Sequence, residues 1–199
     1  PRRSNFRTWY YRMQPSVTHN PFKHCDAEKF QYIDNHFECK KSYVINPNQH
    51  RWNPMELPKA EDNITWVEGL VAHVGTGAPL NKSGICIYQY RCNKSMDHQA
   101  FYSSDGDFLI VPQLGTLYVI TENGKLIIPP KHILIVPRGI KFAIQVTEAC
   151  RGYAVEVFDG HFQLPDLGPI GSNCLANGRD FEAPVAFYEE RAGEYTVGL

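Results

Sequence analysis

Residues 104–142 read SDGDFLIVPQLGTLYVITENGKLIIPPKHILIVPRGIKF, and this stretch decides the fold. Short runs of Val, Ile, Leu, Tyr and Phe alternate with turn-forming clusters, a pattern that pleated, half-buried strands require and helices do not. Glu122-Asn123-Gly124-Lys125 sets Asn-Gly between two apolar runs, the strongest short-range hairpin signal. Pro137-Arg138-Gly139 marks a second turn, with proline presetting φ and glycine free to take φ > 0.

Working outward, the same rhythm predicts strands at Thr65–Val74, Gly84–Cys92, Gln99–Tyr102, Asp107–Pro112, Thr116–Glu122, Lys125–Ile128, Ile133–Val136, Phe142–Val146 and Gly152–Phe158. Many short strands at regular spacing mean a sandwich or barrel. The fold class is mainly β, a jelly-roll or β-sandwich barrel. Residues 1–60 are dense in Pro, Asn and aromatics. They are expected to form an irregular extension that packs on the barrel through Trp9, Tyr10, Phe22 and Trp52. Residues 61–199 form the β domain. Within it, 159–184 loses alternation and is expected to be a long ordered loop, or two, that functions or bridges packing units.

The chain has 199 residues, 43% hydrophobic and 21% charged, an ordinary globular balance. Its formal net charge of -1 gives no electrostatic reason to expect nucleic acid or an anionic membrane. No apolar run approaches the ~20 residues of a spanning helix. Pro1-Arg2-Arg3-Ser4 has no apolar stretch behind it, so no signal peptide is expected. The six cysteines form no CxxC pair, which argues against a zinc ribbon and for reduced, cytoplasmic thiols. Both ends read as cuts through a longer protein.

The strand rhythm resembles a cupin barrel, whose metal site uses the motifs G-x5-H-x-H-x3-4-E-x6-G and G-x5-P-x-G-x2-H-x3-N. Anchored on Pro137 and Gly139, the second motif's histidine falls on Phe142. Anchored on Gly115, the first motif's glutamate falls on Phe108 and its histidines on Ser104 and Tyr102. None of these is a good ligand, so they are expected to be packed strand residues. A rescued site would need His98, His132 or Asp107, and a small-molecule pocket in a metal-free barrel is the other alternative.

Other constellations also have plain readings. His19, His24 and Cys25 flank an Asn-Pro that prevents helical alignment. Asp105 and Asp107 suit a turn better than paired acid–base work. His161 reads as a loop hydrogen-bonder and Arg138 as a solvated turn residue. No P-loop, nucleophile elbow or dinucleotide fingerprint is present. No catalytic, cofactor-binding or metal-ligating residue is assigned.

Four stretches carry a closer resemblance: FRTWYYRMQPSVTHNPF (6–22), PNQHRWNPMELPKA (47–60), CNKSMDHQAFYSSDGDFLIVPQLG (92–115) and LPDLGPIGSNCLANGRDFEAPVAFYEE (164–190). Together they resemble the homogentisate 1,2-dioxygenase family, end to end. The resemblance implies an Fe(II) enzyme of phenylalanine and tyrosine catabolism that opens homogentisate with O2 to give maleylacetoacetate. It implies iron held by two His and one carboxylate in a second half beyond Leu199, and assembly as homotrimers paired into hexamers. This chain would then be the structural, non-iron-binding half. The alternatives are a free-standing metal-less binding module and an inactive paralogue.

Overall fold

The computed structural model describes residues 53–168, 174–190 and 193–198. Of the expected N-terminal extension, only 53–60 fall in that range. Trp9, Tyr10, Phe22, Trp52 and the His19–His24–Cys25 group lie outside the described residues. Among the described residues no helix is long and apolar enough to cross a membrane.

The strands are β1 (Leu70–Ala78), β2 (Ser83–Cys92), β3 (Gln99–Phe101), β4 (Asp107–Leu114), β5 (Leu117–Thr121), β6 (Gly124–Ile128), β7 (Leu134–Val136), β8 (Phe142–Gln145), β9 (Cys150–Val157) and β10 (Thr196–Gly198). They form two five-stranded sheets, ordered β1-β2-β9-β4-β7 and β10-β3-β8-β5-β6. Every strand pairing is antiparallel except β10 with β3. The expected mainly-β, double-sheet architecture is what forms.

Alternation explains which face each strand buries. In β9, Cys150, Gly152, Ala154 and Glu156 point into the core and the residues between them do not. The core joins Tyr88 and Tyr90 of β2 to Phe108 and Ile110 of β4, with Phe142 and Ile144 of β8 opposite. Trp66 fills its centre. Its ring centroid lies 5.8 Å from Tyr90, 6.2 Å from Phe101, 6.1 Å from Phe108 and 5.6 Å from Phe142, tilted and edge-on geometries that suit ring quadrupoles. On the outer face of the first sheet, Arg91 and Arg151 reach back to the carbonyls of Glu56 and Met55. These bonds hold the 53–56 segment across β2 and β9.

Two local expectations shift. The strand foreseen over Thr65–Val74 begins only at Leu70 and runs on to Ala78, with an irregularity between Ala72 and Val74. The side chain of Glu68 accepts from both the backbone N–H and hydroxyl of Thr65, each at 2.9 Å. That Thr-x-x-Glu turn outcompetes extension, and Trp66 within it is fully buried. The Asn-Gly hairpin forms, but Thr121 pairs with Gly124, so Glu122-Asn123 is the loop. Gly124 (φ +132°) instead serves a close approach: a Cβ there would sit 1.9 Å from the Val185 carbonyl oxygen. Lys125 and Val185 exchange backbone hydrogen bonds at that point. The described residues of 159–184 have local order of their own. Leu167 bridges Leu175, and Gly178–Asp180 makes a 3-10 turn. The Pro137–Gly139 turn forms as foreseen, with Gly139 at φ +81° and the Ile140 amide donating to Pro137.

Candidate functional site

The would-be ligand positions divide between core and rim. Phe108 and Phe142 are each 2% exposed and pack on Trp66. Tyr102 lies under the Lys141 ammonium, 5.4 Å from its ring centroid, and Ser104 is exposed. His98 stacks on Tyr195 at 5.5 Å. His132 lies 3.9 Å from Glu182, both partly exposed. Asp107 has partners of its own, so these three do not converge. Among the described residues no group of three His, Cys, Asp or Glu could hold one metal ion.

What the fold does bring together is a pair of buried carboxylates on neighbouring strands. Phe108 of β4 is in register with Glu156 of β9, and Asp107 with Val157. Glu156 therefore points into the barrel beside Phe108, while Asp107 points outward. Inside, Glu156 is 1% exposed. Its Oε2 accepts from the Tyr88 hydroxyl at 2.7 Å and its Oε1 from the Ser103 hydroxyl at 2.6 Å. The Ser103 oxygen in turn accepts from the amides of Asp105 and Gly106 at 3.1 Å. A buried acid is stabilised only when such donors surround it.

Asp107 is 2% exposed although it faces outward, because the chain folds over it. It accepts from the Arg138 amide at 2.9 Å, the Arg138 Nε at 3.4 Å and the Phe162 amide at 3.1 Å, and it contacts His161 Nδ1 at 3.0 Å. Arg138 also donates to the Gly160 carbonyl. Asp107 is a hydrogen-bonder as expected of Asp-Gly-Asp, but its partners come from the 138 and 160–162 segments rather than its own turn, and Arg138 is not simply exposed. Together they clamp the Pro137–Gly139 turn and the 160–162 segment onto β4. His161 is the loop hydrogen-bonder it was read as, and Asp105 stays exposed at its turn.

Glu156 escaped sequence reading. The signal was present in Cys150-Arg-Gly-Tyr-Ala-Val-Glu-Val, where strict alternation places the glutamate on the same face as Cys150 and Ala154. Its neighbours have displaced proton equilibria. Burial pushes the Cys86 thiol from 9.0 up to about 12, against a hydrogen bond with Tyr88 and with help from the Glu156 charge. Burial, then the charge of Glu156, also raises the Tyr88 phenol. Both folded-state values are raised, so the folded chain keeps protons that the unfolded chain releases. Their stabilising effect is complete below pH 9 and is lost as pH climbs toward 12. Denaturant titrations between pH 9 and 11 should show falling stability. Cys86→Ala should make that fall shallower by about 1.4 kcal/mol per pH unit.

The two carboxylates are saturated by these donors, and an iron ion does not fit among them. The arrangement does mechanical work: it ties β2, β4, β9 and the 137–140 and 158–162 connections together at one end of the barrel. A separate open groove of about 500 Å³ lies along Tyr118, Lys125, Ile127 and Gln145. It shares no lining residue with this cluster.

Known proteins place the chain. The family model for the homogentisate 1,2-dioxygenase N-terminal region matches residues 1–198. The homogentisate 1,2-dioxygenase of Caenorhabditis elegans is 50% identical over 197 residues, covering 99% of this chain and 44% of the relative. That of Drosophila melanogaster is 49% identical over 192 residues, 96% and 43%. The human enzyme is 48% identical over 200 residues, 99% and 44%. The chain therefore spans less than half the length of these relatives. Among solved structures, a cupin superfamily protein from Desulfitobacterium hafniense aligns over 59% of this chain and all of its own, at TM-score 0.43 and 17% identity. An RmlC-like cupin with a double-stranded β-helix fold from Methanocaldococcus jannaschii aligns over 54% of this chain and 93% of its own, at TM-score 0.37 and 16% identity. With a family match over nearly its whole length, this chain belongs to the homogentisate 1,2-dioxygenase N-terminal family.

Proposed function

We propose that this chain is the structural, non-iron-binding half of an Fe(II)-dependent dioxygenase that opens the ring of homogentisate with O2 to maleylacetoacetate. The observation that carries the reading is the family match over residues 1–198. Identities of 48–50% to three animal relatives, C. elegans, Drosophila and human, agree with it. The donor chemistry of the described residues supports putting the iron elsewhere. Phe108 and Phe142 cannot ligate, and the oxygens of Glu156 and Asp107 are engaged by protein donors. No step of the reaction is assigned to this chain.

Its task in this reading is to present a rigid surface to the catalytic half. The exposed side chains of Leu164, Leu167, Leu175, Val185 and Tyr188 offer an apolar strip for that contact. The segment carrying Leu164 is anchored at its root by Asp107. The same reading takes the whole protein to be cytoplasmic and a homotrimer or hexamer.

The test pairs the full-length protein with residues 1–199. Full-length protein should carry about one iron per chain, consume oxygen on adding homogentisate, and sediment as a trimer or hexamer. Residues 1–199 alone should show neither iron nor oxygen uptake. A full-length protein with no homogentisate-dependent uptake overturns the reading. Stoichiometric iron and turnover in 1–199 would overturn the division of labour.

A further inference from the structure

At the other end of β9 from Glu156 lies a second buried cluster that the function above does not use. Cys92 closes β2, Cys150 opens β9, and the two are register partners. Both are free thiols with 0% exposure. Residues directly opposite on antiparallel strands have Cα atoms about 4.5–5.5 Å apart, inside the range a disulfide spans. Each inward-facing side chain on its strand ends up against the other, since the pair closes the β2–β9 ladder on the buried face. Cys150 also approaches the carbonyls of Glu148 at 3.3 Å and Thr116 at 3.7 Å. Beside the pair, the buried Tyr90 hydroxyl has no hydrogen-bond partner among the described residues.

We propose that Cys92 and Cys150 are a peroxide-sensitive modification site that closes to a reversible disulfide between β2 and β9. The Cys150 thiolate attacks hydrogen peroxide, breaking the O–O bond to give a sulfenic acid and hydroxide. The Cys92 sulfur then attacks the Cys150 sulfur, the S–O bond breaks, and water leaves with the Cys92 proton. In sum, two thiols and one peroxide give one disulfide and two waters. Cys150 lies two residues from the exposed Glu148, on the side from which peroxide can arrive, which gives it the attacking role and leaves Cys92 the resolving one. Tyr90 shares the buried face of β2 with Cys92, two residues away, and its unpartnered hydroxyl is available to donate to a thiolate or to a sulfenate oxygen.

The Arg91 amide donates to Gly69, on the β1 side, so the backbone of Cys92 faces β9. That makes Cys92 and Cys150 the wider, hydrogen-bonded kind of pair, with Cα atoms about 5.5 Å apart, a separation that a disulfide spans without moving the strands. Peroxide enters when the exposed turn at Thr147 and Glu148, next to Cys150, opens.

The test treats the full-length native protein with hydrogen peroxide, then alkylates and digests it with trypsin. The expected product is a peptide Cys92–Lys94 joined to Phe142–Arg151, two hydrogens lighter than the sum, which dithiothreitol separates. In Cys92→Ser the cross-link disappears and Cys150 proceeds to sulfinic acid. Oxidation of N-acetylcysteine in a parallel sample reports that oxidant was active. Its oxidation with Cys92 and Cys150 still alkylatable after unfolding overturns the proposal. So does sulfinic acid at Cys150 in the unsubstituted protein without the cross-link.

Discussion

Trp66→Ala should cost about 3–5 kcal/mol of folding free energy, the range for deleting a large aromatic from a close-packed core. Trp66 is 0% exposed and holds rings from β2, β3, β4 and β8 at centroid distances of 5.6–6.2 Å. Those strands come from both sheets, so the void would open where the sheets meet and could not be filled by one strand moving. Trp66→Phe should cost much less, about 1–2 kcal/mol. It keeps most of the ring and removes an indole N–H that is buried without a partner among the described residues, and an orphaned donor is itself a cost. Urea titration measures both: the midpoint falls with the slope unchanged. Equal losses in the two variants would mean that the indole nitrogen, and not ring volume, is what stabilises.

Asp107→Ala should cost about 3 kcal/mol, from two charge-assisted amide hydrogen bonds and the contacts to Arg138 and His161. The side chains of Arg138 and His161 are 26% and 47% exposed, so water solvates both and keeps the loss below that of a fully buried pair. The effect should be local in one respect. Amide exchange at Arg138 and Phe162 should accelerate far more than at Ile144, because only the first two donate to this carboxylate. Asp107→Asn should fall between wild type and Asp107→Ala, since the amide oxygen still accepts. If Asp107→Ala left exchange at Phe162 unchanged, the clamp would not be what holds 160–162.

Strand reading succeeded where periodicity had no local rival. β2, β4, β8 and β9 lie within a few residues of their expected places because alternation and β-branched content agree along them. It failed at Thr65–Gly69, where the side chain of Glu68 captures the Thr65 amide and makes a turn of residues that look strand-like. The cupin-motif count placed Phe108 and Phe142 as packed residues, which they are. It had no means of seeing Glu156 and Asp107 as the polar centres, since each reads as an ordinary strand or turn residue alone.

The amino-acid sequence by itself determined the β architecture, the turn at Pro137–Gly139, the packing of Phe108 and Phe142, and the family. These rest on period-two patterning, on turn chemistry and on which side chains are apolar, all properties of neighbouring residues. Only the tertiary structure decided that Asp107 is sealed by His161 and Arg138, that Glu156 meets Tyr88 and Ser103, and that Cys92 faces Cys150. Each partnership joins residues 31 to 68 positions apart. Burial turns an ordinary carboxylate or thiol into a structural or reactive group only once distant donors close around it.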